Sequence, residues 1–399
     1  MKGAVSDMPS SPSNLKPGPN AISKIAMITS MAETLANFRG PLIADMAAVG
    51  IEVLALAPDY NERTREAVRA FGGEPVDISL DRTGMHPLRD TADMIRLAVL
   101  LRRLKPDATF SYFIKPVIFG SLAAWMAGVR YRFAMVAGLG YIFTAGASRD
   151  GLKRRVLRWT ASFLYWVGFG VCKKVFFQNA DDMQQFVGGG LLPKSKAVLI
   201  NGSGVDLDRL VHVPPTNSQP IFLLMARLLR EKGIYEYAEA ARLVKYAQPD
   251  ARFILLGKTD SNPGGLTEAE VRGWVDEGII EWHGHVDDVR PWIEQSNVYV
   301  LPSWREGKPR STQEAMAIGR AIITTDAPGC RDTVDAGVNG ILVPVRDPKS
   351  LAAAMMRFVR EPELFTIMGA ASRRIAEERF DVRKINRRIL SEAGILNVE

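Results

Sequence analysis

The stretch that decides the fold is "NVYVLPSWREGKPRSTQEAMAIGRAIITTDAPG", residues 297 to 329. It opens with an apolar run from Asn297 to Ser303 and passes through a polar loop with Gly307 and Pro309. An amphipathic segment follows, and then a second apolar run from Arg320 to Asp326. Strand, loop, helix and strand in this order form one unit of a parallel sheet covered on both faces. In such sheets ligands bind beyond the carboxyl ends of the strands, so the "WREGK" loop belongs in a crevice. Pro309 suits the first helical position, where its missing N–H would have no partner anyway. Glu306 then sits in the crevice loop, and Glu314 lies one turn inside the helix, roughly 7 Å further along its axis at about 1.5 Å per residue. The free N–H groups near Arg310 and Ser311 form an anion site between the two carboxylates. A carboxylate accepts from vicinal hydroxyls, so the arrangement suits a sugar on each side of a phosphate.

Outward from this stretch the same alternation appears twice. "KIAMITSM" (24–31), a helical pattern from Gly40 to Ala48, and "IEVLALAP" (51–58) begin a first series. It continues through "DATFSYF", a small-residue helix near 118–127, "RYRFAMVAG" and "KKVFFQNA". A second series runs through "IFLLMAR" (221–227), "RFILLGK", "GIIEWHG", "NVYVLPS", "RAIITTD" and "NGILVPV". The predicted fold class is α/β: two doubly wound Rossmann-like domains facing across a cleft. Residues 1–21 are expected to be a disordered head, rich in Ser and Pro. Residues 22–203 form the first domain and 204–377 the second, with a C-terminal helix about 378–399 returning to the first. The Pro-rich stretch "VPPTNSQP" after the last strand of the first series reads as a hinge. In "MARLLREKG", Arg227 ends a strand and Lys232 follows five residues later. A planar guanidinium and a mobile ammonium are the usual pair for a diphosphate.

The chain has 399 residues, 47% of them hydrophobic, enough for two sizeable cores. Its two cysteines, Cys172 and Cys330, fit neither a disulfide framework nor a metal cluster, and indicate a reducing compartment. The net charge of +7 is concentrated: nine Lys or Arg stand against one acid between Arg130 and Lys174. The uncharged runs in that segment fall short of the roughly 18 to 20 residues that span a bilayer. "LKRRVLRWTASFLYWVGFGVCKK" is instead expected to lie on an anionic membrane surface. Its cations Arg154, Arg155 and Arg158 would sit at phosphate level, and Trp159, Tyr165 and Trp166 at the interface. A buried helix with a solvated basic start is the plain alternative. No zinc-ligand spacing or RNA-binding signature is present, so nucleic acid is not expected as a partner. The acid pairs at 181–182 and 287–288 read as turn and helix-start residues, and His283 and His285 are too few for a zinc site.

With these residues in hand, the chain resembles the retaining nucleotide-sugar glycosyltransferases of the GT-B fold, family 4. "REGKPRSTQEAMAIGRAIITTDAPGCRDTV" looks like the family's EGxPxxxxEAMAxGxPVI signature and "ARLLREKG" like its GRLxxxKG segment. "NGSGVD" resembles the NGVD stretch near the hinge, and "WHGHV" the loop whose backbone reads the nucleobase. The resemblance implies that Glu306, Arg227 and Lys232 are catalytic: Glu306 would hold the donor sugar and the two cations its diphosphate. Glu314 would hold the donor ribose, and Gly307, Arg310, Ser311, His283 and Gly284 would complete donor binding. With Arg227, Lys232 and the helix N-terminus meeting the charge on the leaving diphosphate, no cofactor and no metal is expected; the resemblance further implies that a phosphate oxygen of the donor can serve as base.

Two departures qualify the resemblance. The expected loop after the first strand, "SMAETLANFRGP", lacks the family's glycine-rich turn, which bears on acceptor contacts by Asn37, Phe38 and Arg39. Lys115 in "SYFIKPVIFG" replaces a frequent histidine. With "GLGYIFT" it resembles a subgroup acting on lipid-linked oligosaccharides and bacterial polysaccharides, where it would meet a phosphate of acceptor or donor; a surface lysine is the plain alternative. The expected partners are therefore a nucleotide sugar donor and a lipid-linked saccharide acceptor, met at the inner face of the cytoplasmic membrane by a peripheral cytoplasmic enzyme. A nucleotide-sugar epimerase of the same fold, or a non-catalytic nucleotide-sugar-binding membrane partner, are the other readings.

Overall fold

The computed structural model describes residues 16–18, 20, 22–80, 86–139, 152–215, 219–260, 262 and 264–397, with the side chains of 16–17 and 152–154 excepted. A short strand, β1 (Lys16–Pro17), precedes the first sheet. That sheet holds β2 (Lys24–Ile28), β3 (Glu52–Ala57), β4 (Gly73–Asp77), β5 (Ala108–Tyr112), β6 (Tyr131–Val136), β7 (Lys174–Phe177) and β8 (Ala197–Leu199). Its order is β4-β3-β2-β5-β6-β7-β8, every pairing parallel. The second sheet holds β9 (Ile221–Met225), β10 (Arg252–Leu256), β11 (Glu281–Trp282), β12 (Val298–Leu301), β13 (Ala321–Thr325) and β14 (Gly340–Val343). Its order, β11-β10-β9-β12-β13-β14, repeats that of the first sheet without the edge strand β8. Each sheet has a switch point, β2/β5 and β9/β12, where the strand order reverses and a crevice opens. β9 and β13 are buried at every residue, which is why they read as unbroken apolar runs rather than alternating ones.

The helices of the first domain are α1 (Glu33–Ala48), α2 (Glu62–Ala70), α3 (Pro87–Leu104), α4 (Ser121–Met126), α5 (Leu152–Gly170) and α6 (Ala180–Gly188). Those of the second are α7 (Ile234–Ala247), α8 (Glu268–Asp276), α9 (Arg290–Gln295), α10 (Arg310–Ile318), α11 (Pro348–Arg360) and α12 (Glu363–Arg379). α13 (Val382–Glu392) returns to the first domain, where Ile385, Ile389 and Leu390 join the core of β2, β3 and α1. Asn386 there donates to Asp45 of α1 at 2.7 Å.

Four expectations are corrected. The helix after β2 starts at Glu33, not Gly40, so Asn37, Phe38 and Arg39 lie on α1 rather than in a loop. Pro309 is the residue before α10, in extended conformation, not its first helical residue. The chain has entered the second core by Val205, so the crossing lies at 201–204 and not in the Pro-rich stretch. Gly204 has a φ of +72° and its missing Cβ would stand 2.7 Å from Val382 Cα, so the outgoing and returning strands of chain touch at glycine. The expected disordered head ends too late: Lys16–Pro17 pair antiparallel with β15 (Leu396–Asn397), while residues 1–15 lie outside the described residues.

Candidate active site

Both switch points face the cleft, and the side chains singled out above gather there. Glu306 follows β12. Its Oε1 accepts from Lys232 Nζ at 2.5 Å and from Ser303 Oγ at 2.8 Å. Lys232 and Glu306 come together because Gly233 turns the chain after β9 with a φ of +72°; a Cβ there would stand 2.2 Å from the Pro302 carbonyl oxygen. Arg227 projects half-exposed from the end of β9 and pairs with Asp260 at 2.8 Å. Within α10, Glu314 accepts from Arg310 Nε at 3.0 Å, and Ser311 Oγ accepts from buried Tyr299 at 2.6 Å. The first N–H groups of α10 have no partner inside the helix and point to the same side of the sheet. Burial raises the Tyr299 hydroxyl above its ordinary range, and the nearby Glu306 and Glu314 carboxyls push the same way. Cys330, behind Glu306, is buried and its thiol is pushed up to about 12, too high to serve as a nucleophile at neutral pH.

The first domain grips this loop. Asn179 caps α6 by accepting from Asp182 N at 2.7 Å, and its amide donates across the cleft to the Gly307 carbonyl at 2.6 Å. Gly307 packs on the backbone of Ala137, whose carbonyl oxygen lies 2.3 Å from where a Cβ would be. Arg305 pairs with buried Asp182, and Arg331 with Asp181 at 2.9 Å. These acids, read from sequence as turn and helix-start residues, do lie in the first turn of α6, and they also anchor the two domains to each other. Partners more than 100 residues away leave no local signal. Burial raises the Asp182 carboxyl above its ordinary range, with Arg305 opposing.

α1 supplies a third grip. Pro41 lies inside it and has no N–H to give the carbonyl of Asn37 four residues back. Arg310 of the second domain donates to that carbonyl, and its guanidinium lies over the Phe38 ring at 5.3 Å from the centroid. Arg39 is buried beside Tyr112 and Met135. Lys115 is not the surface residue of the plain alternative: it is buried and bound to Asp90 at 2.7 Å, which is itself buried.

His283 packs on Trp292 at 4.3 Å, and the Gly284 carbonyl accepts from Gly257 N at 2.7 Å. The two therefore line the strand-end layer of the second sheet. Asp288 is paired with Arg290 at 2.8 Å, and among the described residues no three His, Cys, Asp or Glu side chains cluster as metal ligands.

Residues 219–361 match the family model "Glycosyl transferases group 1". This segment is a group 1 glycosyltransferase domain. Over 356 residues the chain is 26% identical to the N,N'-diacetylbacillosaminyl-diphospho-undecaprenol alpha-1,3-N-acetylgalactosaminyltransferase of Campylobacter jejuni, covering 86% of this chain and 90% of the relative. It is 24% identical to the Escherichia coli UDP-Gal:alpha-D-GlcNAc-diphosphoundecaprenol alpha-1,3-galactosyltransferase, over 74% of this chain and 77% of that one. Sucrose-phosphate synthase from Thermosynechococcus elongatus superposes with a TM-score of 0.74 at 18% identity, over 93% of this chain and 98% of that one. Anabaena HepE solved with UDP gives 0.71 at 16%, over 92% and 98%. The glycosyltransferase domain thus sits in a GT-B fold, and the relatives are bacterial glycosyltransferases of polysaccharide and lipid-linked sugar assembly.

The α5 face bears on where this happens. Val156, Trp159, Phe163 and Trp166 form one exposed stripe, Trp159 at 72% exposure, with Trp159 and Phe163 stacked. Tyr165 was expected at the interface but lies on the opposite face, buried against Phe169 and Phe186. Gly168 brings that face onto the backbone of Val117 and Ile118. Phe163 and Val156, spaced by helical periodicity from Trp159, are the members sequence reading passed over. Arg155 is exposed and Arg158 half-buried, while the Arg154 side chain lies outside the described residues. No helix among the described residues is long and apolar enough to cross a membrane.

Proposed function

We propose that the protein transfers a sugar from a UDP- or GDP-linked donor to a polyprenyl-diphosphate-linked saccharide, with retention of anomeric configuration. The observation that carries the reading is the Glu306 carboxylate, fixed by Lys232 and Ser303 at the β9/β12 switch point and held against the first domain through Gly307. Glu306 takes the sugar hydroxyls, and Glu314 the ribose. Arg227, Lys232 and the α10 N-terminus meet the charge that builds on the leaving diphosphate, the largest protein contribution to such a reaction. With this counter-charge supplied by the chain, the transfer needs no metal. The alpha-1,3 linkages named for both relatives are in keeping with retention from an α-linked donor. The aromatic stripe on α5 rests on the inner surface of the cytoplasmic membrane, where such an acceptor is found.

The test uses purified protein with EDTA, a panel of UDP- and GDP-sugars, and membrane extract carrying polyprenyl-linked saccharides. The lipid fraction is expected to gain one hexose or N-acetylhexosamine from one donor, and Glu306→Ala to lose the gain. A changed sugar in the soluble pool without any gain on lipid would instead indicate an epimerase.

A further inference from the structure

We infer that Arg39 is an anion-binding residue that takes a phosphate of the acceptor at the β2/β5 switch point of the first domain. Its side chain is 2% exposed. One guanidinium nitrogen touches Met135 Sδ at 2.6 Å, a weak acceptor, and the group lies 5.5 Å from the Tyr112 ring centroid. Nε is buried with no hydrogen-bond partner, and no carboxylate pairs with Arg39 among the described residues. The other buried or half-buried cations named above, and Lys308 and Arg320, differ. Lys115 has Asp90, Lys232 has Glu306, Arg305 has Asp182 and Lys308 has Asp332, while Arg320 is bound by backbone carbonyls including those of Ser296 and Val213.

A cation out of water without a counter-charge costs several kcal/mol, so a native chain keeps one where a ligand supplies the missing charge. Desolvation brings the Arg39 guanidinium down to about 10, and the like charge of Arg310 adds to that. The position agrees. Arg39 lies in the first helix after β2, between the ends of β5 and β6, where a doubly wound sheet binds its ligand. Arg310 of the second domain reaches the same turn of α1, at Asn37 and Phe38, so the residue lies where the two domains meet.

The donor diphosphate already has Arg227, Lys232 and the α10 N-terminus in the second domain. The anion offered to Arg39 is therefore a phosphate of the acceptor, a point that rests on the lipid-linked reading of the acceptor. Lys115, spent on Asp90, does not fill this role.

The experiment compares full-length wild type with Arg39→Met, which keeps bulk and removes charge. Thermal unfolding is followed alone, with farnesyl diphosphate, with inorganic pyrophosphate and with UDP or GDP, and steady-state kinetics are measured with lipid acceptor. Arg39→Met alone should unfold at the same or a higher temperature, because it removes an uncompensated charge; a purely structural arginine would lower it. Farnesyl diphosphate and pyrophosphate should raise the wild-type midpoint and leave the variant unmoved, while the nucleotide shifts both equally. The acceptor KM should rise at least tenfold with donor KM unchanged. Loss of the nucleotide shift in the variant would overturn the proposal by giving the site to the donor. A destabilised variant that still responds to both diphosphates would also overturn it. If wild type transfers sugar to lipid but shows no diphosphate shift, the anion site fails and the transferase reading stands. If the Arg39-dependent shift appears without any transfer, the site stands and the reading of the acceptor fails.

Discussion

If α5 is the surface that meets the membrane, removing its exposed aromatics must weaken vesicle binding by an amount set by their exposure. Trp159 leaves 72% of its surface in water. On a side chain of about 250 Å² that is on the order of 180 Å², and placing half of it in the interface at ~25 cal/mol/Å² yields about 2 kcal/mol, or roughly 30-fold in partitioning. Phe163 and Trp166, exposed at 48% and 52%, contribute somewhat less each. Each cation near an anionic surface adds about 1 kcal/mol, which salt screens. Co-sedimentation with vesicles rich in anionic lipid is the assay. Trp159→Ala should bind roughly 30-fold more weakly at any salt, whereas Arg155→Glu with Arg158→Glu should weaken binding mainly at low salt. Nucleotide affinity should be unchanged in both, because α5 lies away from the second domain's switch point. Trp159→Ala and the arginine variant sedimenting like wild type would refute the docking surface.

Lys232→Ala should lower kcat by about 100-fold or more, since it removes a cation from the leaving group and from Glu306 together; single-turnover rates with saturating donor check this. Asn179→Asp preserves the α6 cap but turns an amide donor into a carboxylate facing the Gly307 carbonyl. Its unfolding midpoint should change little while kcat falls at least tenfold, and equal losses of both would point to a folding role. Asp181→Arg should open the cleft in small-angle scattering and raise donor KM a few-fold, modest because the pair with Arg331 is part-exposed, at 35% and 39%. Adding Arg331→Asp should restore both. Asp182 has its carboxyl raised by burial, so folding favours its protonated form, and that stabilisation is lost as pH rises through the folded value. Arg305→Gln removes the opposing cation, so its stability deficit against wild type should shrink from pH 7 to pH 5 in denaturant titrations; a constant deficit would contradict this.

The strands and their order of appearance were readable because parallel strands buried on both faces become apolar runs such as "IFLLM" and "AIITT". The Glu306 loop was readable for the same reason: a glycine- and proline-bearing turn directly after such a run falls at a strand's carboxyl end. The start of α1 was not, because Pro41 and Asn37 carry loop signals. The helix runs through both because its apolar residues Leu35, Leu42, Ile43 and Met46 pack into the first core, and Arg310, more than 250 residues on, satisfies the carbonyl that Pro41 leaves open. α5 is an intermediate case. Helical spacing sorts its aromatics into two faces, Trp159, Phe163 and Trp166 on one and Tyr165 with Phe169 on the other, but only packing of Gly168 on Val117 and Ile118 decides which face is covered.

Sequence by itself thus determined two doubly wound domains and the place of the Glu306 loop at a strand end, since both follow from contacts within a strand, a turn or a helix. Tertiary structure decided the partners of Asp181 and Asp182, the spending of Lys115 on Asp90, and the burial of Arg39 with no carboxylate partner among the described residues. Charges find or fail to find their partners through space, between segments whose separation along the chain carries no periodic signal.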